Sequence, residues 1–174
     1  MSFTRYIVAI VIDPKTRNVV TLLKQKGPAL LLGKVTFPGG KIEANESVQA
    51  AASRELVEES GVAVPESAWC VVGRQGDEHY ELHVLAATSS EVHLARQLES
   101  EPVTVMNLDE AARQAGSSPG AYVPDFLPLL HAALFVLELD EDLVYTVSIV
   151  SQPFSTLMTH LPKRRLGPLT RYEK

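Results

Sequence analysis

The sequence predicts a mixed sheet carrying a few helices, an α+β or α/β sandwich. Three observations carry this reading. Short apolar, β-branched runs recur along the chain with turn residues between them. One stretch, residues 46–60, is helical in composition and stops at Gly61, a residue suited to the position just past a helix end. The other helix-like segments come late, at residues 109–116 and 125–139, and a Ser/Pro/Gly loop separates them.

Taken in order, "RYIVAIVID" (residues 5–13) is a run of β-branched and apolar side chains and reads as a buried strand. "PKTRN" is a turn, and "VVTLLKQK" (residues 19–26) completes a hairpin. "GPALLLGK" is a loop, and Pro38-Gly39-Gly40 is a turn between two short extended pieces. After the helix, residues 67–76 and 78–89 form a second hairpin, and "EPVTVMNL" (residues 101–108) is a further strand. "DEAARQAG" is a short helix that a glycine should stop. "DFLPLLHAALFVLEL" is a helix with Pro128 near its first turn, and "DLVYTVSIV" (residues 142–150) is a last strand. Beyond Val150 the periodicity fades and prolines recur, so residues 1–152 are expected to form the domain and residues 153–174 a flexible basic tail.

The 174 residues suffice for one domain with a real core. With 45% hydrophobic and 21% charged residues, the chain falls among soluble globular proteins. The net charge of −5 argues against a protein that coats nucleic acid, and no stable nucleic-acid partner is expected. The charge is uneven: the last fourteen residues hold five of sixteen basic groups and one of twenty-one acidic ones, which leaves an acidic body. No apolar run is long enough to span a bilayer, so no membrane partner is expected. The single cysteine, Cys70, cannot form an internal disulfide, and a cytoplasmic protein is the expectation. The sequence is compatible with a homodimer.

One stretch raises a physical question. Glu55, Glu58 and Glu59 stand within five residues of helix beside Arg54. At about 100° per residue, all three carboxylates fall on one arc of about 100°. Like charges at this spacing repel, and the C-terminal end of a helix disfavours anions. A solvated acidic face is one explanation. A divalent cation is the other: Mg²⁺ favours a mixture of carboxylate, carbonyl and water oxygens, and the glycine turn lets backbone carbonyls approach.

The same residues carry a resemblance. Gly40, five residues, Glu46, seven residues, and then Arg54-Glu55-Leu56-Val57-Glu58-Glu59-Ser60-Gly61-Val62 resemble the Nudix box at every fixed position. The resemblance spans about residues 4–150 and implies an α/β/α sandwich with a mixed central sheet. It implies Mg²⁺-dependent hydrolysis of a nucleoside diphosphate linked to another group, with Mn²⁺ able to substitute. It implies Gly40 (through its carbonyl), Glu55, Glu58 and Glu59 as metal ligands. Glu55 or a nearby acid is then also a candidate base, Arg54 orients the carboxylates, and Glu46 lies behind them or starts the helix. Glu101, ahead of a strand, is where such enzymes often place a further acid near the metal.

Outside the box, "TLLKQKGPALLLGKVTFPGGK" and the segment from Tyr122 to Val150 resemble the MutT-like oxidised purine nucleoside triphosphatases. Val35-Thr36 stand where that family has a Trp-Asn pair, and the second aspartate near Asp125 is absent. Asp125 is either an acceptor for a purine edge or a helix cap. Lys24 and Lys26 either meet phosphates or are surface lysines. Phe37 either stacks on a base or belongs to the core. The expected function is hydrolysis of a small nucleoside triphosphate to monophosphate and pyrophosphate, with damaged purine nucleotides as a candidate substrate class. ADP-ribose, a dinucleoside polyphosphate, and a non-catalytic nucleotide sensor are the alternatives; a sensor would be expected to have eroded box glutamates, and here all are present.

Overall fold

The computed structural model describes residues 3–137. A six-stranded mixed sheet lies between one helix on one face and two on the other. Strand β1 (Thr4–Asp13) is central. It pairs in parallel with β5 (Tyr80–Thr88) along nine residues, from Thr4↔Tyr80 to Ile12↔Thr88. The turn after Asp13 leads into β2 (Asn18–Leu23), antiparallel to β1 through Ile12↔Val19 and Asp13↔Asn18. The Asp13 carboxylate closes this turn by accepting from the Lys15 and Thr16 amides and the Thr16 hydroxyl. Strand β4 (Cys70–Gly76) completes the second hairpin with β5, and β6 (Val103–Asn107) lies antiparallel to β2.

β1 is apolar from Ile7 to Ile12 because both of its faces are covered there. Ile7, Ala9 and Val11 point to one core, and Ile10 and Ile12 to the other. β5 divides the same way, with Leu85 and Ala87 on the first face and Val84 and Ala86 on the second. The first core is closed by helix α1 (Val48–Ser60) through Ala51, Ala52 and Leu56. The second is closed by α2 (Leu108–Ser117) and α3 (Phe126–Val136), with Ala111, Ala115, Phe126 and Leu130. This is the α/β/α sandwich expected from the sequence.

β1 and β2 splay apart after their first two pairs, and residues 35–42 fill the wedge. β3 (Val35–Thr36) pairs with the end of β2. Beyond it the chain runs along β1: the Ala9 amide donates to the Pro38 carbonyl, the Ile7 amide to the Gly40 carbonyl, both at 2.8 Å, and the Ile42 amide to the Arg5 carbonyl at 2.9 Å. Gly39 is required by this approach, since a Cβ there would run into the Ile7 carbonyl.

α1 begins two residues later than the composition suggested, because Ser47 is its N-cap and accepts from the Ala50 amide at 3.0 Å. It ends at Gly61 in the left-handed region, φ 73°, as expected. α2 runs through Gly116 to Ser117 rather than stopping at the glycine. β4 starts later than residue 67, because Glu66–Ala68 form a 3-10 turn after Pro65. The expected strand at 142–150 and the tail at 153–174 lie outside the described residues. No helix among the described residues is long and apolar enough to cross a membrane.

Phe126 is the keystone of the second core. Its ring stacks on Phe37 with centroids 4.5 Å apart and meets Tyr122 edge-on at 4.8 Å. Phe126→Ala should lower unfolding free energy by about 3–5 kcal/mol, as a void between two rings cannot close by side-chain shifts alone. Urea denaturation of the purified variant measures this.

Candidate active site

The acidic residues of α1 gather where the C-terminal half of the helix faces the Pro38-Gly39-Gly40 turn. The arc of three carboxylates straddles the boundary between core and solvent. Glu59 turns inward and is 6% exposed, Glu55 lies at the rim, and Glu58 is open to solvent. Glu101, just before β6, reaches the cluster from the other side and is also 6% exposed.

Each buried carboxylate has a protein partner. The Gly39 amide donates to Glu59 Oε2 at 2.8 Å. Lys24 Nζ donates to Glu101 Oε2 at 2.9 Å, and the Gln25 and Lys26 amides donate to Glu101 Oε1 at 3.1 and 3.2 Å. Arg54 grips Glu46 with two parallel bonds of 2.9 Å and donates to Glu55 at 2.8 Å, to Glu58 at 3.0 Å and to the Lys41 carbonyl at 3.0 Å. Gly40 has no room for a side chain, because a Cβ would collide with the Glu55 carboxylate. The Gly40 carbonyl already accepts from Ile7, and a carbonyl oxygen has a second lone pair for another partner.

Negative charge exceeds positive in this cluster. Burial pushes the Glu59 carboxyl up to about 8, and the charges of Glu55 and Glu101 add to the rise against the Gly39 amide and Lys24. Burial also raises Glu55, opposed by Arg54 and assisted by Glu58 and Glu99. Burial pushes Glu101 upward too, but the Lys24 ammonium and the Gln25 and Lys26 amides outweigh it and hold the carboxyl below its usual range. The Arg54 fork holds Glu46 low, and Glu46 in turn raises Arg54. Among the described residues no three acidic, histidine or cysteine side chains are grouped to hold a metal ion; Arg54 bridges Glu55 and Glu58, and Lys24 pairs with Glu101. The donor set is nonetheless all oxygen, crowded and short of positive charge, which fits a hard divalent ion.

The other expected site residues fall out differently. Phe37, a candidate for stacking on a base, belongs to the core: it is 2% exposed with its ring against Phe126. Lys24 is not a loose surface lysine but the ion-pair partner of Glu101. Asp125 stands at the start of α3 without capping it by its side chain, and burial raises its carboxyl. Its segment lies against β3, with the Val123 amide donating to the Val35 carbonyl at 3.0 Å. An apolar cleft of about 150 Å³ opens beside it, lined by Ala115, Tyr122, Phe126 and Leu127 among others; none of the glutamates lines it. The sequence did not reveal the Gly39–Glu59 bond or the Lys24–Glu101 pair, which join residues 20 and 77 positions apart.

The NUDIX domain family matches residues 2–126. The chain belongs to this family, whose enzymes generally use divalent metals. Among solved structures, it resembles a MutT/nudix family protein from Enterococcus faecalis at 18% identity and a TM-score of 0.50, over 61% of this chain and 43% of that one. The chain thus spans less than half the length of that protein. It also resembles a MutT described for Aliivibrio salmonicida and Vibrio cholerae at 21% identity and a TM-score of 0.54, over 73% of this chain and 98% of that one. At these identities the likeness is one of fold. No curated protein matches the chain.

The Glu59 carboxyl gives the cluster a pH signature in the metal-free state. Its folded value of about 8 lies above the unfolded 4.5. The stability it contributes is therefore complete below pH 4.5 and is lost as pH rises through 8. In EDTA, Glu59→Gln should escape this loss and become more stable than the wild type by about 1 kcal/mol or more on the alkaline side. Thermal melts of both proteins across the pH range check the crossover.

Proposed function

We propose that the protein hydrolyses a nucleoside triphosphate to the monophosphate and pyrophosphate with Mg²⁺, for which Mn²⁺ substitutes. The observation that carries this reading is the gathering of the α1 carboxylates at the glycine turn, with Glu55 against Gly40 and Glu59 buried on a single amide. Glu55, Glu58, Glu59, Glu101 and the Gly40 carbonyl would hold the metal. When bound, such an ion offsets phosphate charge and makes water a better nucleophile at neutral pH. Arg54, anchored by Glu46 and the Lys41 carbonyl, holds one oxygen of Glu55 and one of Glu58. Glu55 is the group that takes the proton from the attacking water. Burial raises its affinity for a proton, and Arg54 holds one of its two oxygens.

The substrate class rests on Asp125. The segment that carries Asp125 lies against β3, and β3 leads directly into the glycine turn, so the base would sit toward Asp125 and the phosphates toward the glutamates. The Asp125 side chain does not cap α3; its own amide meets its carboxyl, whose other lone pairs can accept from a purine edge. Damaged purine nucleotides are included in this class.

A phosphate-release assay with added pyrophosphatase, run over nucleoside triphosphates, ADP-ribose and dinucleoside polyphosphates, tests the reading. Turnover of triphosphates above the other classes is expected. Preference for ADP-ribose or a dinucleoside polyphosphate would replace the substrate class, and no turnover with either metal would make the protein a sensor. Glu58→Gln should fold and lose most activity; retention within about threefold at saturating Mg²⁺ removes Glu58 from the ligands.

Asp125→Ala should alter the kcat/KM ratio between purine and pyrimidine triphosphates by about tenfold, roughly 1.4 kcal/mol, without changing metal dependence. Kinetics with four triphosphates measure the ratio, and an unchanged ratio rejects base reading by this residue.

A further inference from the structure

The two cations that touch the glutamates are held in different ways. Arg54 is anchored outside the trio of helix carboxylates, by the bidentate pair with Glu46 and by the Lys41 carbonyl. Lys24 has no such anchor. Among the described residues, its ammonium makes one hydrogen bond, to Glu101 Oε2 at 2.9 Å. Its backbone is pinned, with the amide donating to the Lys34 carbonyl at 2.9 Å and the carbonyl accepting from Gly33 at 2.8 Å. Only the flexible four-carbon side chain is left to move. Glu101 shows the complementary division: the Gln25 and Lys26 amides hold Oε1, while Lys24 alone occupies Oε2. Lys24 also acts on the Glu59 carboxylate, so its charge lies within reach of both buried acids.

We infer that Lys24 is a resident counter-ion of the glutamate cluster, occupying Glu101 Oε2 in the metal-free protein and competing with a divalent cation for that oxygen. The inference rests on the metal-centre reading above. It assigns Lys24 a positioning role with two opposite effects. The ammonium stabilises the empty cluster, since without it the buried Glu101 carboxylate would lose the donor on Oε2, and it weakens metal affinity, since the cation must displace it. The exchange is local: Oε1 stays on its amides, and one rotating side chain clears Oε2.

The test is calorimetric titration of the full chain with Mg²⁺ and with Mn²⁺, without nucleotide, alongside melting curves in EDTA. Lys24→Met should lower the metal-free Tm and tighten metal binding by about fivefold or more. Lys24→Arg, which keeps the charge, should bind metal no tighter than the wild type. A merely structural lysine would lower Tm and leave the Kd unchanged, and an unchanged or weaker Kd in Lys24→Met overturns the inference. Should Lys24→Met not fold without metal, NMR of the wild-type ammonium decides. Its protons should be protected from exchange in EDTA and lose protection at saturating Mg²⁺; no change in protection overturns the inference. A wild-type protein that binds neither ion overturns both this inference and the metal centre itself, whereas binding without a Lys24 effect overturns this inference alone.

Discussion

The bond from the Gly39 amide to the Glu59 carboxylate is where helix, turn and sheet are tied together. Glu59 can face inward only because an amide meets it there. The amide is in place because the turn runs along β1, with Pro38 and Gly40 carbonyls taking the Ala9 and Ile7 amides. That path in turn needs a residue without a side chain opposite the Ile7 carbonyl. The position of α1 over the first core, the splay of β1 from β2, and the proximity of Glu55 to Gly40 are all consequences of this arrangement.

The cluster illustrates how a protein tolerates buried like charges. Isolated burial of a carboxylate is costly, and the two buried acids of the cluster avoid it by different means. Glu101 is ionised comfortably, because an ammonium and two amides surround it. Glu59 has one amide and a more distant ammonium, and its proton affinity rises accordingly. The asymmetry places the unmet demand for positive charge on the side of α1 that faces the glycine turn.

Much of the fold was legible because its signals are local. The apolar run of β1, the end of α1 at Gly61 and the spacing of Glu55, Glu58 and Glu59 depend on near neighbours in the chain. The misreadings arose where distant residues decide. β2 was expected to continue to Lys26, but it stops at Leu23, and the Gln25 and Lys26 amides turn to Glu101 instead of a strand. Sequence alone leaves Phe37 between a base and the core, with the core at least as favoured, since nothing near it in sequence announces Phe126 in the same core. The pairing of Lys24 with Glu101 has the same cause. Glu46 was read as lying behind the ligands or starting the helix, and its grip on Arg54 agrees with the first, while Ser47 takes the capping role.

The two cores meet only through the sheet. Ile7, Ala9 and Val11 belong with the glutamate helix, whereas Ile10, Ile12 and Phe37 belong with the helices beside Asp125. Substitutions on opposite faces of a sheet share no side-chain partners, and distant changes without shared partners combine nearly additively. The acids of α1 and the segment that bears Asp125 therefore rest on separate cores, and well-separated substitutions in the two should add in their effect on stability.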